Sequence, residues 1–482
     1  MKSLKNLVND FILNKDIKVR INITKDDPIN YLTPNRLDIG FKLFFINLIS
    51  EENTFPLKIY KEHIRAITNG TFKEFGNEDK DSLRKYIDDF KNTDKSIKNE
   101  FDSSKSIIPL GKRNTIVDGS HRVTSAIINS KKITIQKFNI EDPNYNWEFF
   151  KKRGVNSNYI DIAVNEFLKY SEKYFAAFVW PVASENINMI IKTLGTENIL
   201  YVKKLKLSAN GGHNLLTQLY KGQEWLGGLE ESYNGAISKL SKTFNSKGII
   251  HVIFFRQKTI QKVINNKKKI RNKIGIGKHS IHINDNKEEL KLINEIVLNN
   301  NSIKFIDKGK TFKYKKTIDL VQKFKSKVDR LNFDIENFVI CGSTPLAIFG
   351  YCNSNDIDYL STYDINEISD DISSHKMYAH FYKKPINELI FNPENYFYFN
   401  GIKFLTTSNI IEFKKNRGEP KDLWIIQKMN NNNKFKLIFT SIINYISLFK
   451  YKLVGQIIYL SKPLGLYNFL KEIYKFFNKP SE

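Results

Sequence analysis

The sequence predicts a multidomain protein of mixed α/β and α+β class. At 482 residues the chain is long enough for about three domains. Strand-like apolar runs alternate with helical patterns from Tyr174 to Asp307, and two blocks near residues 118 and 342 have the pattern of a strand, a tight turn and a helix. We predict an N-terminal α+β domain (1–150), a middle α/β domain (151–312), a C-terminal α+β domain (313–432) and a helical tail (433–482).

The composition is that of an ordinary globular protein except for its charge. The net charge of +25 comes mainly from lysine and favours anionic partners, namely nucleotides, nucleic acid, phosphorylated polymers or an anionic membrane face. Lysine-rich and asparagine-rich usage is also typical of A/T-rich genomes. Two cysteines, Cys341 and Cys352, exclude a disulfide framework or a cysteine zinc site. The first residues lack the apolar core of a signal peptide, so we predict a cytoplasmic protein.

One block carries the chemistry of the N-terminal region. The segment from Ile107 to Ile128, IIPLGKRNTIVDGSHRVTSAII, predicts a strand, a second strand at Ile116-Val117 and a helix that runs to Ile128. At such a turn the glycine backbone can approach a ligand closely, and the new helix presents free N–H groups. Asp118, Gly119, Ser120, His121 and Arg122 form this turn, and we predict a phosphate site at the Gly119 backbone, the N–H groups of the new helix and the Arg122 guanidinium.

This pentapeptide resembles the Asp-Gly-x-His-Arg signature of the ParB/sulfiredoxin-like fold, whose members include nucleotide-binding partition proteins and small-molecule kinases. The resemblance covers Pro56 to Phe138 and implies that ATP or CTP binds at Gly119 to Arg122. His121 would be a base or a phosphate ligand, and capping or packing is the alternative. No cysteine precedes Cys341, which excludes sulfiredoxin chemistry, and no helix-turn-helix is apparent downstream to support a partition role.

The middle region follows the pattern of an α/β layer. The apolar runs FAAFVW, ILYVKKLKL and IIHVIFF are followed by predicted helices at Ser184–Leu194, Asn214–Trp225 and Thr259–Ile274. Predicted loops at Pro181–Glu185 and Asn210–His213 follow strands, where α/β domains place ligands. No family accounts for this region, and the hypotheses for it are a degenerate second copy of the C-terminal unit described below or a kinase-like module.

The block Lys278 to Asp285, KHSIHIND, is the most distinctive part of the middle region. A strand here would place His282 and Asn284 on one face. Three interpretations stay open: ordinary structure, and two kinds of ligand site. The ligand sites would be a metal site from His279, His282 and Asp285, or an anion site from Lys269, Arg271, Lys278 and His282.

The C-terminal region begins with a predicted helix from Thr317 to Leu331 and continues with FVICGSTPLAIFGYCNSNDIDYL over 338–360. This segment predicts a strand, a Gly-Ser turn, a helix and a second strand. Asp356 and Asp358 are two residues apart in that strand, so both carboxylates project from one side and repel each other unless a cation lies between them. Mg²⁺ suits such a pair, and Gly342 and Ser343 could hold the phosphates of its ligand.

This pattern resembles the nucleotidyltransferase superfamily built on a DNA-polymerase-β-like palm. A second block, FKKNRGEPKDLWII over 413–426, resembles the Lys-Asp-Leu helix that follows the palm in small nucleotidyltransferases. The resemblance implies that Asp356 and Asp358 hold Mg²⁺, that Arg417 helps to bind the nucleoside triphosphate, and that Lys421 neutralises developing charge. The alternatives are a solvated strand end for the aspartates and a helix N-terminal charge pair for Lys421-Asp422.

The family usually has a third acidic residue on a central strand. Glu388 and Glu394 are the nearest candidates, and neither falls cleanly in a strand, because residues 361–395 predict an irregular connection. The pattern from Tyr396 to Leu405 then predicts a hairpin that turns at Asn400-Gly401. A palm with two carboxylates could bind one Mg²⁺ and a nucleotide without catalysing a reaction of that nucleotide.

The tail beyond the Asn430–Asn433 linker contains an amphipathic segment from Leu464 to Phe477. It is predicted either to cap the transferase domain or to lie on the inner membrane face as a basic amphipathic helix.

The function expected from these blocks is that of a Mg²⁺-dependent nucleotidyltransferase-fold enzyme acting on a small molecule or glycan precursor. A kinase-like N-terminal module would make it bifunctional and would suit surface polysaccharide synthesis. The alternatives are a phosphocholine-type transferase that uses a CDP-activated donor, a nucleic-acid-binding, tRNA-modifying or antibiotic-modifying nucleotidyltransferase, and a catalytically inactive nucleotide sensor.

Overall fold

The protein is described by a computed structural model over residues 23–74, 79–101, 106–365 and 367–429, with 449–454, 456, 457, 460 and 466. Within these residues the fold is mixed α/β, as predicted, and contains three sheets. The chain forms two compact units. The first runs to Phe175 and includes Leu194–Val202 and Ile253–Val263, and the second holds the remaining described residues.

The first unit is built around a three-stranded sheet of order β1-β3-β2. Strand β1 (Thr24–Asp26) pairs antiparallel with β3 (Ile133–Lys137), and β2 (Ile108–Leu110) pairs parallel with β3. The predicted strand at Ile116-Val117 is wrong, because Ile116 forms only an isolated bridge to Leu110. The described helices of this unit are α1 (Asp38–Leu48), α2 (Phe55–Ile67), α3 (Leu83–Asn99), α4 (Ser120–Ile128), α5 (Trp147–Lys152) and α6 (Ser157–Lys169).

A buried ion cluster lies at the start of α1. The Asp38 carboxylate accepts from Arg36 at 2.7 Å and from Lys42 at 2.7 Å, and all three side chains are almost completely buried. Arg36 also donates to the carbonyl oxygen of Ile116, which joins α1 to the segment before α4. Burial penalises the ionised carboxyl, but the two cations outweigh it and hold the pKa of Asp38 well below its usual range.

The second sheet has four strands in the order β5-β6-β4-β7. Strand β7 (Ile281–Ile283) is at its edge and pairs antiparallel with β4 (Tyr174–Val179), with Phe178 opposite His282. The strands predicted from the runs FAAFVW, ILYVKKLKL and IIHVIFF are confirmed as β4, β5 (Ile199–Lys206) and β6 (Ile249–Arg256). The helices that follow along the chain are α7 (Ile187–Leu194), α8 (Ala209–Leu219), α9 (Asn234–Thr243), α10 (Ile260–Ile274), α11 (Lys287–Val297) and α12 (Asn300–Lys308).

Both loops predicted in this region are helical. Residues Pro181–Asn186 form a 3-10 helix, and Asn210–His213 lies inside α8. Helix α8 begins early because the Ser208 hydroxyl accepts from the N–H of Gly211 at 3.1 Å and caps it. The glycines allow close packing, since a Cβ on Gly212 would lie 2.5 Å from the ring of Phe244.

The last third of the described chain forms a mixed six-stranded sheet of order β10-β11-β9-β8-β13-β12. Strand β8 (Phe338–Ile340) pairs antiparallel with β9 (Ile357–Ser361) and parallel with β13 (Ile402–Leu405). The predicted hairpin is confirmed: β12 (Tyr396–Phe399) pairs with β13 across Asn400 and Gly401, and both turn residues have positive φ, at 52° and 76°.

The connection predicted to be irregular contains ordered elements. Its strands β10 (Glu367–Ser369) and β11 (Ile372–Ser374) pair with each other, and β11 also pairs parallel with β9. These strands have three residues each and are rich in serine, so they lack the apolar alternation that marks a strand. The helices of this region are α13 (Lys315–Arg330), α14 (Thr344–Ile348), α15 (Ile386–Phe391), α16 (Thr407–Arg417) and α17 (420–429).

The core beneath this sheet is apolar and aromatic. Val339 and Leu360 from the two central strands pack with Leu346 of α14 and Phe413 of α16. Within the described residues no helix is long and apolar enough to cross a bilayer. Most of the predicted amphipathic tail, and the linker before it, lie outside the described residues.

Candidate active site in the C-terminal sheet

The two predicted aspartates lie beside the turn between β8 and α14. Asp358 is the second residue of β9, and its carbonyl oxygen accepts from the N–H of Cys341 at 2.8 Å. The carbonyl oxygen of Asp356 accepts from the hydroxyl groups of Thr344 at 3.1 Å and Ser354 at 3.0 Å. Both aspartate backbones are therefore fixed to the segment that contains Gly342.

Gly342 makes room for the Asp358 side chain. Its φ is +62°, in the left-handed region that glycine adopts without strain. A Cβ added there would lie 2.0 Å from Asp358 Oδ2 and 2.8 Å from Asp358 Cγ. The carboxylate of Asp358 thus rests directly on the glycine backbone, and any larger residue at position 342 would have to displace it.

The electrostatics of this pair are those of two carboxylates in close proximity. Burial, and then the negative charge of Asp356, raise the pKa of Asp358 from 3.8 to about 6. The positive charges of Arg417, Lys414 and Lys421 act in the opposite direction. Asp358 is partly buried and Asp356 is exposed, so the site opens to solvent on the side of Asp356. This arrangement favours a cation between the carboxylates.

A buried ion cluster supplies the positive charge around the pair. The carboxylate of Asp422 accepts from Lys414 at 2.6 Å and from Arg417 at 2.7 Å, and the side chains of Asp422 and Lys414 are 0% and 2% exposed. Lys414 was not predicted as a site residue, because its position on α16 has no motif that separates it from other lysines. Gly418, with φ +74°, ends α16 after Arg417, and α17 begins at Pro420.

Lys421, which is predicted to neutralise charge at the site, is a solvent-exposed residue in the structure. Its side chain is 71% exposed and pairs with Glu419 at 2.9 Å. It is still close enough to Asp358 to lower the pKa of that carboxyl, after Arg417 and Lys414. The block 413–426 is thus two helices rather than one, and its buried cations belong to the first.

The helix that follows the Gly-Ser turn is too short to form the anion-binding N-terminus that the sequence suggests. Helix α14 has five residues, and Ser343 at its N-cap makes no side-chain capping hydrogen bond. Since a helix dipole sums over aligned peptide units, so short a helix contributes little to anion binding. Phosphate binding by Gly342 and Ser343 stays a prediction that depends on backbone N–H groups and the Ser343 hydroxyl.

Among the residues that the structure describes, no third acidic residue joins the pair. Glu388 lies in the first turn of α15 and Glu394 lies in the turn before β12, and neither is among the main influences on the pKa of Asp358. Within the described part of the chain, no group of three or more His, Cys, Asp or Glu side chains could hold a metal ion. The donor set fits one Mg²⁺ held by two carboxylates, with water and ligand phosphates completing its shell.

His375 is a site neighbour that the sequence did not indicate. Its Nδ1 lies 3.6 Å from the Sγ of Cys341, the residue before Gly342. Burial, Arg417 and Lys414 lower the pKa of His375 to about 4, so the ring is neutral at pH 7. His375 follows β11, in a segment that the sequence predicts to be irregular, so no sequence pattern links this histidine to the site.

The N-terminal block forms a turn with the predicted shape. Gly119, with φ +81°, is the N-cap of α4, and Arg122 folds back to pair with Asp118 at 3.2 Å. Ser120 is the first residue of α4, and the charge of Asp118 also raises the pKa of the buried Arg36. The turn thus lies near the ion cluster of α1.

His121 is a packing residue in this structure. Its ring stacks on Phe90 with centroids 4.4 Å apart, and its Nε2 lies 2.9 Å from the hydroxyl oxygen of Tyr60. Burial, followed by the charges of Lys42 and Lys80, holds the pKa of His121 well below 6.5. These contacts fit the capping or packing alternative.

No protein-family model, no curated protein and no solved structure matches the chain.

Proposed function

We propose that the C-terminal sheet carries a Mg²⁺-dependent transferase site that acts on a nucleotide substrate, ATP, CTP or a CDP-activated donor, with a small-molecule or glycan acceptor. The observation that carries the proposal is the placement of Asp356 and Asp358 beside Gly342, with the pKa of Asp358 raised to about 6 by burial and by Asp356. Two carboxylates that repel in the absence of a cation form a site for one.

Different residues of the chain would bind the metal ion, position its ligands and bind the phosphate groups at such a site. Asp356 and Asp358 would hold Mg²⁺, which neutralises phosphate charge when bound. Gly342 sets the position of the Asp358 carboxylate by contact, and Ser343 offers a hydroxyl beside it. Arg417 is held by Asp422 at the edge of the site and can add a guanidinium to a phosphate without moving its backbone.

Lys414 and Asp422 would be positioning residues. Because Lys414 is buried and paired, it contributes a fixed positive charge near Asp358 rather than a contact to ligand. Lys421 is exposed, and its flexible side chain can approach a ligand from solvent and neutralise charge that develops on a leaving phosphate.

The N-terminal turn at Gly119 to Arg122 is proposed as a second phosphate-binding module. Its support is narrower: a glycine with positive φ at the start of a nine-residue helix, with Arg122 folded over it. The contribution of His121 would be to pack this turn against Phe90.

The proposal is tested by ligand-induced thermal stabilisation. The four nucleoside triphosphates and the common CDP-linked donors are compared with and without Mg²⁺ on the full chain, on Asp356→Asn/Asp358→Asn, and on Glu388→Gln/Glu394→Gln as the matched control. We expect one nucleotide to stabilise the wild type and the control only when Mg²⁺ is present, and to leave the aspartate variant unchanged.

Product analysis then separates the two donor classes. A nucleotidyltransferase releases pyrophosphate from a nucleoside triphosphate, whereas transfer from a CDP-activated donor releases CMP. Equal Mg²⁺-dependent stabilisation of the wild type and the aspartate variant would contradict the site.

A further inference from the structure

A second cleft, of about 880 Å³, lies in the second unit and shares no lining residue with the Asp356–Asp358 site. One wall is cationic: Lys239 comes from α9, Lys267 and Arg271 from α10, and Lys278 from the 3-10 turn Gly277–His279. We call this set the cationic wall. The cleft is also lined by other charged residues of both signs, among them Asp285 and Glu289.

The edge of the second sheet places two of these cations. Lys267 donates to the carbonyl oxygen of Ile283 at 2.9 Å, and Arg271 donates to that of Ile281 at 3.2 Å. These are alternate residues of the edge strand β7, so their carbonyl groups face away from the sheet and need donors. A neutral carbonyl satisfies a hydrogen bond but does not cancel a charge, so the wall keeps its positive field.

One carboxylate of the cleft pairs with a member of the cationic wall, and another is held by a histidine. Asp285 pairs with Lys267 at 3.2 Å, whereas Glu289 binds His282 and accepts from the N–H of Asp285 at 2.9 Å. No ion pair or hydrogen bond of the Lys278 ammonium occurs within the described residues.

The cationic wall therefore has more positive charge than its partners neutralise. Lys239 donates to the carbonyl oxygen of Lys278 at 3.1 Å, which brings those two residues together. Burial, and then the charges of Lys278 and Arg271, lower the pKa of Lys239 to about 8. The Nε of Arg271 is buried without a hydrogen-bond partner among the described residues. An anion in the cleft would stabilise the charged form of Lys239 and would accept a hydrogen bond from the Nε of Arg271.

Two aromatic rings extend the cleft beyond the cations. The Lys239 ammonium lies 5.4 Å from the centre of the Tyr220 ring, and the Trp225 ring lies edge-on to Tyr220 with centroids 5.0 Å apart. Trp225 is 45% exposed, so its ring is accessible to a ligand. Such rings can pack against the base or sugar of a ligand.

We propose that this cleft binds a phosphorylated small molecule, with its phosphate on Lys239, Arg271 and Lys278 and its ring or sugar against Tyr220 and Trp225. The site goes beyond the proposed transferase and does not require a divalent ion. The metal interpretation of the KHSIHIND block is not supported by the described residues, since His282 is bound to Glu289 and no metal-ligand group is present among them. Lys269, expected at an anion site, is not among the residues that line the cleft, whereas Lys239 and Lys267 are.

Binding is tested by calorimetry on the full chain in EDTA with four probes: inorganic phosphate, pyrophosphate, CMP and a sugar 1-phosphate. We expect Lys278→Gln, whose side chain is exposed, to fold normally and to weaken binding about tenfold through the loss of one charge-assisted contact. Lys239→Gln/Lys278→Gln should weaken it further. Lys268→Gln/Lys269→Gln is the matched control, because both residues are exposed on α10 outside the cleft.

Tryptophan fluorescence gives a second readout. A ligand with a base or sugar should change the emission of the wild type, and Trp225→Phe should abolish that change while it retains phosphate binding. Preference for CMP or for the sugar phosphate identifies the source of the phosphate.

Three results would overturn the proposal: equal weakening by the α10 control, binding of an oligonucleotide but of no mononucleotide or sugar phosphate, or loss of binding in Asp356→Asn/Asp358→Asn. The last result would place the phosphate at the transferase site. Because the assay contains EDTA, failure of the transferase proposal leaves its outcome unchanged.

Discussion

Replacing Gly342 with alanine tests the contact between the glycine backbone and the Asp358 carboxylate. The new methyl would lie 2.0 Å from Asp358 Oδ2, so the carboxylate must move, and the residue would also keep a left-handed φ of +62°. The backbone strain costs about 1–2 kcal/mol, and overpacking adds about 1–3 kcal/mol.

Gly418→Ala is the matched control for this change. Gly418 has φ +74°, but nothing lies within 4 Å of an added Cβ, so it should lose only the backbone term of about 1 kcal/mol. Chemical denaturation measures both losses, and thermal stabilisation by nucleotide with Mg²⁺ reports the site. We expect Gly342→Ala to lose that stabilisation and Gly418→Ala to keep it. Equal retention by the two variants would refute the proposed role of the contact.

Four further outcomes follow from the same geometry. Asp422→Asn should destabilise the second unit by about 3–5 kcal/mol, because it leaves Lys414 buried beside Arg417 without a carboxylate; a loss under 1 kcal/mol in chemical denaturation would contradict this. Asp38→Asn should destabilise the first unit for the same reason and leave Mg²⁺-dependent nucleotide binding intact. Because the folded pKa of Asp358 is about 6, above its ordinary 3.8, the folded chain binds more protons than the unfolded chain between these values. Its contribution to stability therefore falls as pH rises through about 6, while Mg²⁺ affinity rises; Asp358→Asn should remove both trends in denaturation and metal titrations from pH 5 to 8. Glu388→Gln should leave Mg²⁺ affinity unchanged, since no third acid joins the pair, and a drop of tenfold or more would show otherwise.

The local order of the C-terminal domain could be predicted from the sequence. The helix expected at Thr317–Leu331 is α13 at Lys315–Arg330, and the Asn400-Gly401 hairpin has the expected turn. These features depend on neighbouring residues, whose periodicity and turn chemistry are visible in one sequence. The sequence predicts that Asp358 and Gly342 belong to one site, and the antiparallel pairing of β8 with β9, which the sequence does not specify, brings these two residues into contact.

The polar interior could not be predicted. Nothing near Asp422 in the sequence indicates that it is fully buried between Lys414 and Arg417, because that burial depends on how α17 packs on α16. The loop predicted at Asn210–His213 lies inside α8, where Gly212 packs against Phe244 and Gly211 against Asp307, both of which are distant in sequence. Tertiary contacts of this kind override local preference.

The composition of the cationic wall also could not be predicted from the sequence. The KHSIHIND block predicts an anion site, but the fold adds Lys267 and Lys239 to it, and Lys239 lies on another helix with no motif around it. Charges that converge from separate elements are visible only once the sheet edge and its flanking helices are in place.

The most direct test of the central claim is a Mn²⁺ titration followed by the electron paramagnetic resonance signal of the free ion, in the presence of the stabilising nucleotide. We predict that the wild type and Glu388→Gln remove one equivalent of Mn²⁺ per chain, and that Asp356→Asn/Asp358→Asn leaves the free-ion signal at the level of nucleotide alone. Equal Mn²⁺ uptake by all three proteins would contradict the claim that these two aspartates share a divalent ion.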